Sequence, residues 1–426
     1  MALDPPSRAV EFVPGADGGD YDVTEMLAGQ GGGNAGDGRI FDAISMASSQ
    51  FDAANSSNAS GDWVGGLLDK GSFVESLGGW ARSVVTGRGR LGGIPLGVIA
   101  VSVTPNLKTV PADPADVTSK EVIEAQSPQV WFPDSSYKTA TAIRDFDRDG
   151  LPIMILANWR GFSGGARDMQ LEVLKFGSMI VDALRECSQP VMVYLPPGAE
   201  LRGGAWVVLD TQINPSHIEM YADPTARGGV LEPSGMVEVK FRDAQRKALM
   251  ERSSAEMAAL KEKADAGDAV AAAQLKGRQS KSAQVYTIAS ESFADLHDTA
   301  RGMESVGCIR GIVPWAESRA FFHRRLSSLI AVNDICKRLP ADMSLQEKRS
   351  AVDAWREADG FAAGGDGGAN KAEEAVVEWV QAKAASIEAR IKTLAKERVA
   401  LEIRQLAARH GVDLANLNLH EGHKHA

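Results

Sequence analysis

The chain has 426 residues, 44% of them hydrophobic and 24% charged, with a net charge of −10 and three cysteines. That length can bury one large core or two modest ones. The acidic balance excludes a phosphate-backbone partner, whose binding rests on Lys and Arg, and no apolar run approaches the roughly 18 residues of a membrane span, so neither nucleic acid nor membrane is expected.

Residues Met1 to Asp20 lack the basic, apolar, small-residue order of a secretory signal and are not an Arg- and Ser-rich transit peptide. Residues 1–62 carry GGGNAGDG and AANSSNASG, a composition that suits a flexible surface segment. From Trp63 onward short apolar runs appear, Gly97–Val103, Leu151–Ala157, Pro190–Leu195 and Trp206–Leu209, each bounded by Gly or Pro and each expected as a buried strand. Between two of them, Leu171, Leu174, Val181 and Leu184 predict one helix over Met169–Cys187. Strands alternating with helices imply an α/β fold with covered sheets.

Further along, residues 253–284 predict a partly helical surface excursion. Phe322, Leu326, Leu329 and Ile330 predict a core-facing helix after Trp315. Ser344 and Glu347 match a capping box, and a Gly-rich break at 360–370 precedes a helical tail striped by Val376, Val380, Ile387, Ile391 and Leu394. Glu388 and Lys392 form a supporting pair in that tail, whose stripe suits docking on its own domain or on a dimer mate. The cysteines, Cys187, Cys308 and Cys336, are too far apart for a disulfide framework or metal knuckle, and read as small apolar fillers in a reducing compartment. The terminal His420, His423 and His425 lie in a free tail, and no metal is assigned to them.

Three segments could carry chemistry. Asn158-Trp159-Arg160-Gly161-Phe162-Ser163-Gly164-Gly165 follows an apolar run and precedes a helix; its glycines allow close backbone approach, and Arg160 offers a permanent bidentate donor to a carboxylate. The same spacing would also serve tight strand-to-helix packing. It satisfies G-x-S-x-G too, with Asp210 and His217 or His297 following in hydrolase order around Ser163, although the elbow needs the strand to run straight into the turn. Glu200-Leu201-Arg202-Gly203-Gly204-Ala205-Trp206 could leave backbone N–H groups open to a ligand oxygen, or be a glycine bulge that turns a strand. Trp131 and Phe132 could wall a pocket or cap the core, and spacing alone favours the core.

In this order, these segments resemble the carboxyltransferase region of the single-chain, multidomain acetyl-CoA carboxylases of eukaryotes. The runs that carry the resemblance are Tyr21-Asp22 with Met26–Gly29, Asp69–Val74, Gly79–Ala81, Val84–Pro95, Pro111–Ala115, Gln129–Ser135, Ala157–Gly165, Val173–Gly177, Asp182–Val193, Glu200–Asp210, Met220–Asp223, Val230–Pro233 and Phe293–Thr299. It lapses from Gln30 to Asp62. The resemblance implies a crotonase-like ββα superhelix with a helical C-terminal tail, in which two homologous halves from different subunits of a homodimer face each other. This chain would be the second half, with 63–338 the carboxyltransferase domain, 339–410 a helical extension and 411–426 a tail, and it would need an N-terminal half to complete its site.

The resemblance further implies biotin as cofactor, arriving as carboxybiotin on a biotinyl carrier domain and not attached here, and acetyl-CoA and malonyl-CoA as substrate and product. Gly204 and Ala205 would offer N–H groups to the ureido oxygen of biotin, and Arg160 would hold a carboxylate. Gly164, Gly165, Arg202 and Gly203 would shape the pocket, and Trp131, Phe132 and Trp159 would wall it. The biotin ring would serve as base, so no side-chain base is needed. Cytosol and plastid both stay open as compartments. A chain that only dimerises or scaffolds is the competing reading.

Overall fold

A computed structural model describes residues 67–69, 72–103, 105–231, 255–279, 297–361 and 368–410. The expected flexible segment at 1–62, the Gly-rich stretch at 362–367 and the tail at 411–426 lie outside the described residues. Contacts divide the chain into two units that meet in sequence at His323 and Arg324.

The first unit is built on a seven-stranded sheet. Its strands are β1 (Val74–Ser76), β2 (Val84–Leu91), β3 (Ile94–Val101), β7 (Ile153–Leu156), β9 (Val191–Leu195), β11 (Ile218–Ala222) and β13 (Gly311–Ile312), in that spatial order. The first three pair antiparallel, and from β3 to β13 every pairing is parallel. Strands β3, β7, β9 and β11 are buried at every position, which explains their near-continuous apolar sequence: a parallel sheet covered on both faces has no solvent side to alternate with.

A repeating unit organises the rest. Three of the main strands, β3, β7 and β9, are followed by a short strand in a separate ladder and then by a helix. Thus β3 leads to β6 (Val130–Trp131) and α1 (Pro133–Arg148), and β7 leads to β8 (Gly161–Phe162), α2 (Ala166–Gln170) and α3 (Val173–Glu186). In turn β9 leads to β10 (Glu200–Arg202) and α4 (Gly203–Leu209). The short strands pair with one another in parallel, β6 with β8 and β10 with β12 (Arg227–Gly229). This is the ββα repeat expected of a crotonase-like fold. A hairpin of β4 (Asn106–Val110) and β5 (Val122–Gln126) projects between β3 and β6.

Two expected elements differ. Met169–Cys187 is not one helix: Glu172 takes a left-handed conformation, φ 63°, and separates α2 from α3. The buried face of α3 is Val173, Gly177, Ile180, Ala183 and Leu184, so of the expected stripe Leu184 is buried, while Leu171 and Leu174 are exposed. Trp206–Leu209, expected as a strand, is the body of α4. A four-residue apolar run does not distinguish strand from helix, and the left-handed Gly203, φ 58°, ends the extended chain just before it.

Helix α1 carries Ile143 and Phe146 into the main core, and Gly97 of β3 is glycine because a Cβ there would lie 2.3 Å from the Phe146 ring. In the 253–284 excursion, α5 (Ala255–Asp265) and residues 269–279 are helical and mostly exposed. Then come α6 (Ala300–Ser305) and α7 (Trp315–Arg338), where Phe322 packs edge-on to Tyr194 and Tyr221. Cys187 and Cys336 are buried as expected of fillers, whereas Cys308 is exposed.

The second unit continues α7 into α8 (Leu345–Ala358), α9 (Gly368–Ala382) and α10 (Ala384–Arg409). Ser344 and Glu347 form the expected capping box. Val376, Ile387 and Ile391 are buried; Ile387 and Ile391 pack with Ile335, Leu339, Val352 and Trp379 in the core of this unit, and Val380 and Leu394 lie against it. Glu388 lies near Lys392, at 3.8 Å, and nearer Arg338, at 3.0 Å. Asp359 accepts from Trp379 Nε1 at 2.9 Å and from Arg390 Nη2 at 2.7 Å, and those donors hold its carboxyl below the usual range. Among the described residues no helix is long and apolar enough to cross a membrane.

One charged side chain is built into the first unit. Lys138 of α1 is fully buried, and its Nζ donates to the carbonyls of Leu77 at 3.1 Å, Trp80 at 2.9 Å and Val84 at 2.7 Å. Burial lowers its pKa to about 8, against the opposing pull of Glu75 and Asp134. The unfolded chain holds this proton to about pH 10.5, so between pH 8 and 10.5 it binds more protons than the folded chain, and titration of Lys138 favours the fold as pH rises. Urea unfolding of the native chain and of Lys138→Met across that window should show the native chain gaining on the variant above pH 8. A difference that stays flat to pH 10 would mean that Lys138 titrates at its ordinary value.

Candidate active site

The two glycine-rich segments meet where the parallel strands end. β7 stops at Leu156, the register partner of Tyr194, and its neighbour β9 stops one residue further at Leu195, so the chain leaving each passes over the same carboxyl edge of the sheet, where α/β folds gather ligand-binding loops. Hydrogen bonds then tie the two exits together. Arg202 N–H donates to the Trp159 carbonyl at 2.9 Å, and Arg160 N–H donates to the Gln129 carbonyl at 2.8 Å. Asn158, 7% exposed, accepts on Oδ1 from the Glu200 N–H at 2.9 Å and from the Gln129 side-chain amide.

Aromatic rings floor this arrangement. Trp131 and Trp159 are fully buried and stacked with centroids 4.3 Å apart, and Phe162 lies on Trp131 at 5.1 Å. These tryptophans belong to the core beneath the segment. Phe132 instead borders a cavity of about 770 Å³ lined also by Trp80, Lys108, Tyr137, Leu171 and Phe176, which Gly204, Ala205 and Arg160 do not line.

The turn after β10 is shaped by sterics. Gly203 is left-handed, and a Cβ on Gly204 would meet the Phe162 ring at 3.0 Å. Gly203 to Ala205 form the first turn of α4, whose N–H groups have no acceptor within the helix. Gly204 is exposed at the surface of the turn, whereas Ala205 is buried.

The three arginine and glycine groups named from sequence occupy different environments. Arg160 is half-exposed, with Nη2 3.8 Å from Glu200 Oε2. Arg202 is 2% exposed: Nε donates to Glu200 Oε2 at 2.8 Å, and Nη1 to Asp298 Oδ2 at 2.6 Å and to the Leu231 carbonyl at 3.3 Å. Burial pulls its pKa down, but the hydrogen bonds and charges of Glu200 and Asp298 outweigh that and raise it. Gly164 and Gly165 are exposed beside the start of α2. Sequence reasoning included Asn158, Gln129 and Asp298 in its motifs and runs but gave none of them a role. A polar residue ending an apolar run was a signal for Asn158, while nothing near Arg202 in sequence pointed to Asp298.

The strand-to-turn elbow of a hydrolase is not formed at Ser163. Four residues separate the end of β7 from β8, so the strand does not run into the turn, and the Ser163 hydroxyl donates to Asp168. His217 stands at the amino end of β11, opposite the strand ends that carry Ser163, and Asp210 caps the short helix Thr211–Ile213.

A family model described as "Carboxyl transferase domain" matches residues 1–329. Acetyl-CoA carboxylase 1 of Arabidopsis thaliana is 45% identical over 343 residues, covering 79% of this chain and 14% of that protein. The acetyl-CoA carboxylase of Dictyostelium discoideum is 47% identical over 306 residues, covering 69% of this chain and 13% of that one. A solved structure of transcarboxylase 12S overlaps 61% of this chain and 39% of its own, at 17% identity and a TM-score of 0.41. The chain therefore spans only about one-seventh of the length of the curated relatives it matches.

The glycines of the site make unequal demands. Gly203 has φ 58° and a Cβ there would lie 3.4 Å from the Arg160 carbonyl, whereas a Cβ on Gly164 would meet nothing within 4 Å. Gly203→Ala should lower unfolding free energy by about 1 kcal/mol or more, and Gly164→Ala should leave it within about 0.5 kcal/mol. Urea titration of both variants checks this; equal stabilities would mean that the turn relaxes around the added methyl.

Proposed function

The chain belongs to the carboxyl transferase domain family, and from that premise we propose that it forms the biotin-facing half of a site that moves a carboxyl group between carboxybiotin and acetyl-CoA, giving malonyl-CoA. The observation that carries this reading is the approach of the Arg160 main chain to the Gly203–Ala205 turn, where a Cβ on Gly203 would lie 3.4 Å from the Arg160 carbonyl, on a sheet edge where β7 does not run into an elbow at Ser163. Such a site suits chemistry in which the protein binds and orients and does not itself supply a base.

Biotin, delivered on a carrier domain, would supply both the mobile carboxyl group and the base. The exposed turn fits that role, because a side chain on Gly204 would strike Phe162, leaving the backbone bare for a ligand to approach. The N–H groups of Gly204 and Ala205 would donate to the ureido oxygen, where negative charge gathers during transfer, and they are held in place before the reaction starts. Arg160 would hold the migrating carboxylate through charge-assisted hydrogen bonds. Phe162, resting on the Trp131 and Trp159 stack, would keep the turn at a fixed height, while Gly164 and Gly165 leave room in front of it. Arg202 is assigned to the support of the turn, since its guanidinium is buried.

In this reading 63–338 is the carboxyltransferase domain and 339–410 its helical extension, and an N-terminal half completes the site in a homodimer. The test is malonyl-CoA-dependent carboxylation of free biotin by the chain, alone and mixed with a matching N-terminal half. Activity should appear in the mixture and fall about tenfold or more with Arg160→Ala, the loss expected for a charge-assisted hydrogen bond. No activity from folded, associated chains would overturn the catalytic reading in favour of a scaffold.

A further inference from the structure

Helix α3 carries a glycine, Gly177, within its buried face. Glycine weakens a helix interior relative to alanine, so something else must require it there. That requirement is the Phe162 ring. A Cβ on Gly177 would lie 2.7 Å from Phe162 Cε1 and 2.9 Å from Cζ, roughly 0.8 Å closer than carbon atoms pack. On the opposite edge of the same ring, a Cβ on Gly204 would lie 3.0 Å from Cδ2 and 3.3 Å from Cε2. One phenyl ring is therefore gripped between two bare backbone positions, one in the helix and one in the turn.

The ring has little freedom to escape. Its face lies on Trp131, with centroids 5.1 Å apart. Its main chain is tied to the same residue, because Phe162 is the register partner of Trp131 between β6 and β8, and the next N–H, that of Ser163, donates to the Trp131 carbonyl at 2.8 Å. Helix α3 is itself seated in the main core through Ile180, Ala183 and Leu184.

We propose that Gly177 is a positioning residue for the Gly203–Ala205 turn, acting through the Phe162 ring, so that helix α3 sets where the N–H groups of the turn stand. The inference rests on the role given to that turn above. The ε1 edge of the ring faces the helix and the δ2 edge faces the turn, so a methyl group added at 177 drives the ring across its own plane toward Gly204. A smaller side chain at 162 leaves the turn without support from that side. Backbone donors cannot answer such a shift by changing rotamer, and misplacing a reacting partner by roughly 1 Å costs about a hundredfold in rate.

Two single variants and their combination test this. In crystal structures superposed on β7 and β9, Gly177→Ala should carry Gly204 Cα away from α3 by roughly 0.5 Å, a displacement large enough to spoil a preorganised site, and Phe162→Leu should let it settle the other way. The double variant, in which the added methyl fills part of the space the ring vacates, should return Gly204 toward its native place. That comparison needs no turnover. In the carboxylation assay with the N-terminal half, each single variant should lower kcat about tenfold with KM for malonyl-CoA within about twofold, and the double variant should recover at least about threefold over Gly177→Ala. Loss of folded protein alone produces no such reciprocal recovery. Additive losses in the double variant, or an unmoved Gly204 in Gly177→Ala, would overturn the proposal. If Gly177→Ala does not fold, Phe162→Leu decides alone, and a native turn with native kcat in that variant overturns it. If the native chain and the N-terminal half are inactive together, the catalytic reading of the turn fails, and the position of Gly204 in the variants still decides whether α3 sets it.

Discussion

A single buried amide sets the geometry on which the site depends. Asn158 Oδ1 accepts both the Glu200 N–H and the Gln129 side chain, and so joins the chain leaving β7 to the chain leaving β9 and to the approach to β6. The parallel register of β7 on β9 brings these exits within reach, and backbone hydrogen bonds from Arg202 to Trp159 and from Arg160 to Gln129 close the arrangement. An unpaired buried amide costs about 1–3 kcal/mol, so the three segments are held together by the penalty of separating them as much as by the bonds themselves. That matters for a site whose proposed donors are backbone N–H groups. A side chain can change rotamer to find its ligand, but a backbone N–H points wherever the fold puts it.

Charge is buried around this joint at some expense. Arg202 and Asp298 are both almost fully enclosed, and removing two ions from water costs several kcal/mol each before their attraction is counted. The cost is offset by hydrogen bonds to the guanidinium: Glu200, Asp298 and the Leu231 carbonyl all accept from it. Lys138 follows the same logic, meeting three carbonyls with its three ammonium donors. In each case the charge reaches main chain that has little regular structure of its own. Leu77 and Ala81 are left-handed non-glycine residues in the segment that Lys138 holds, and Gly203 is left-handed in the turn beside Arg202. Fixed charges thus hold irregular backbone in conformations that local propensity does not favour.

How much of this could be read in the sequence depends on the range of the interaction. The strands were legible because a covered parallel sheet leaves an unbroken apolar run, and the Ser344–Glu347 cap because it is complete within four residues. The stripe of Val376, Ile387 and Ile391 was legible by its period, though not the break at Lys383 that makes it two helices. Trp206–Leu209 failed because four apolar residues fit either element, and Leu171 and Leu174 because the reversal at Glu172 shifts the helical phase. The glycine segments announced a close backbone approach, but not what approaches: Asp298, the buried partner of Arg202, and the carbonyl partners of Lys138 lie 96 and about 60 residues away, and no local pattern encodes such pairs.

The exposure of the site argues in turn about its completion. Arg160 is half in solvent and Gly204 lies at the surface, while Val207, one turn along α4, is 54% exposed. In water an ion pair at 4 Å is worth about 1 kcal/mol, and at the effective dielectric of a protein surface roughly four times that. Donors aimed at developing charge therefore gain most of their strength only when water is excluded. The described face supplies the direction of those donors and leaves its outer side open. A second surface laid over it, as proposed for the N-terminal half, would change the dielectric without moving a single donor, and the rigidity of the Asn158 joint is what would let the two surfaces be made separately and still fit.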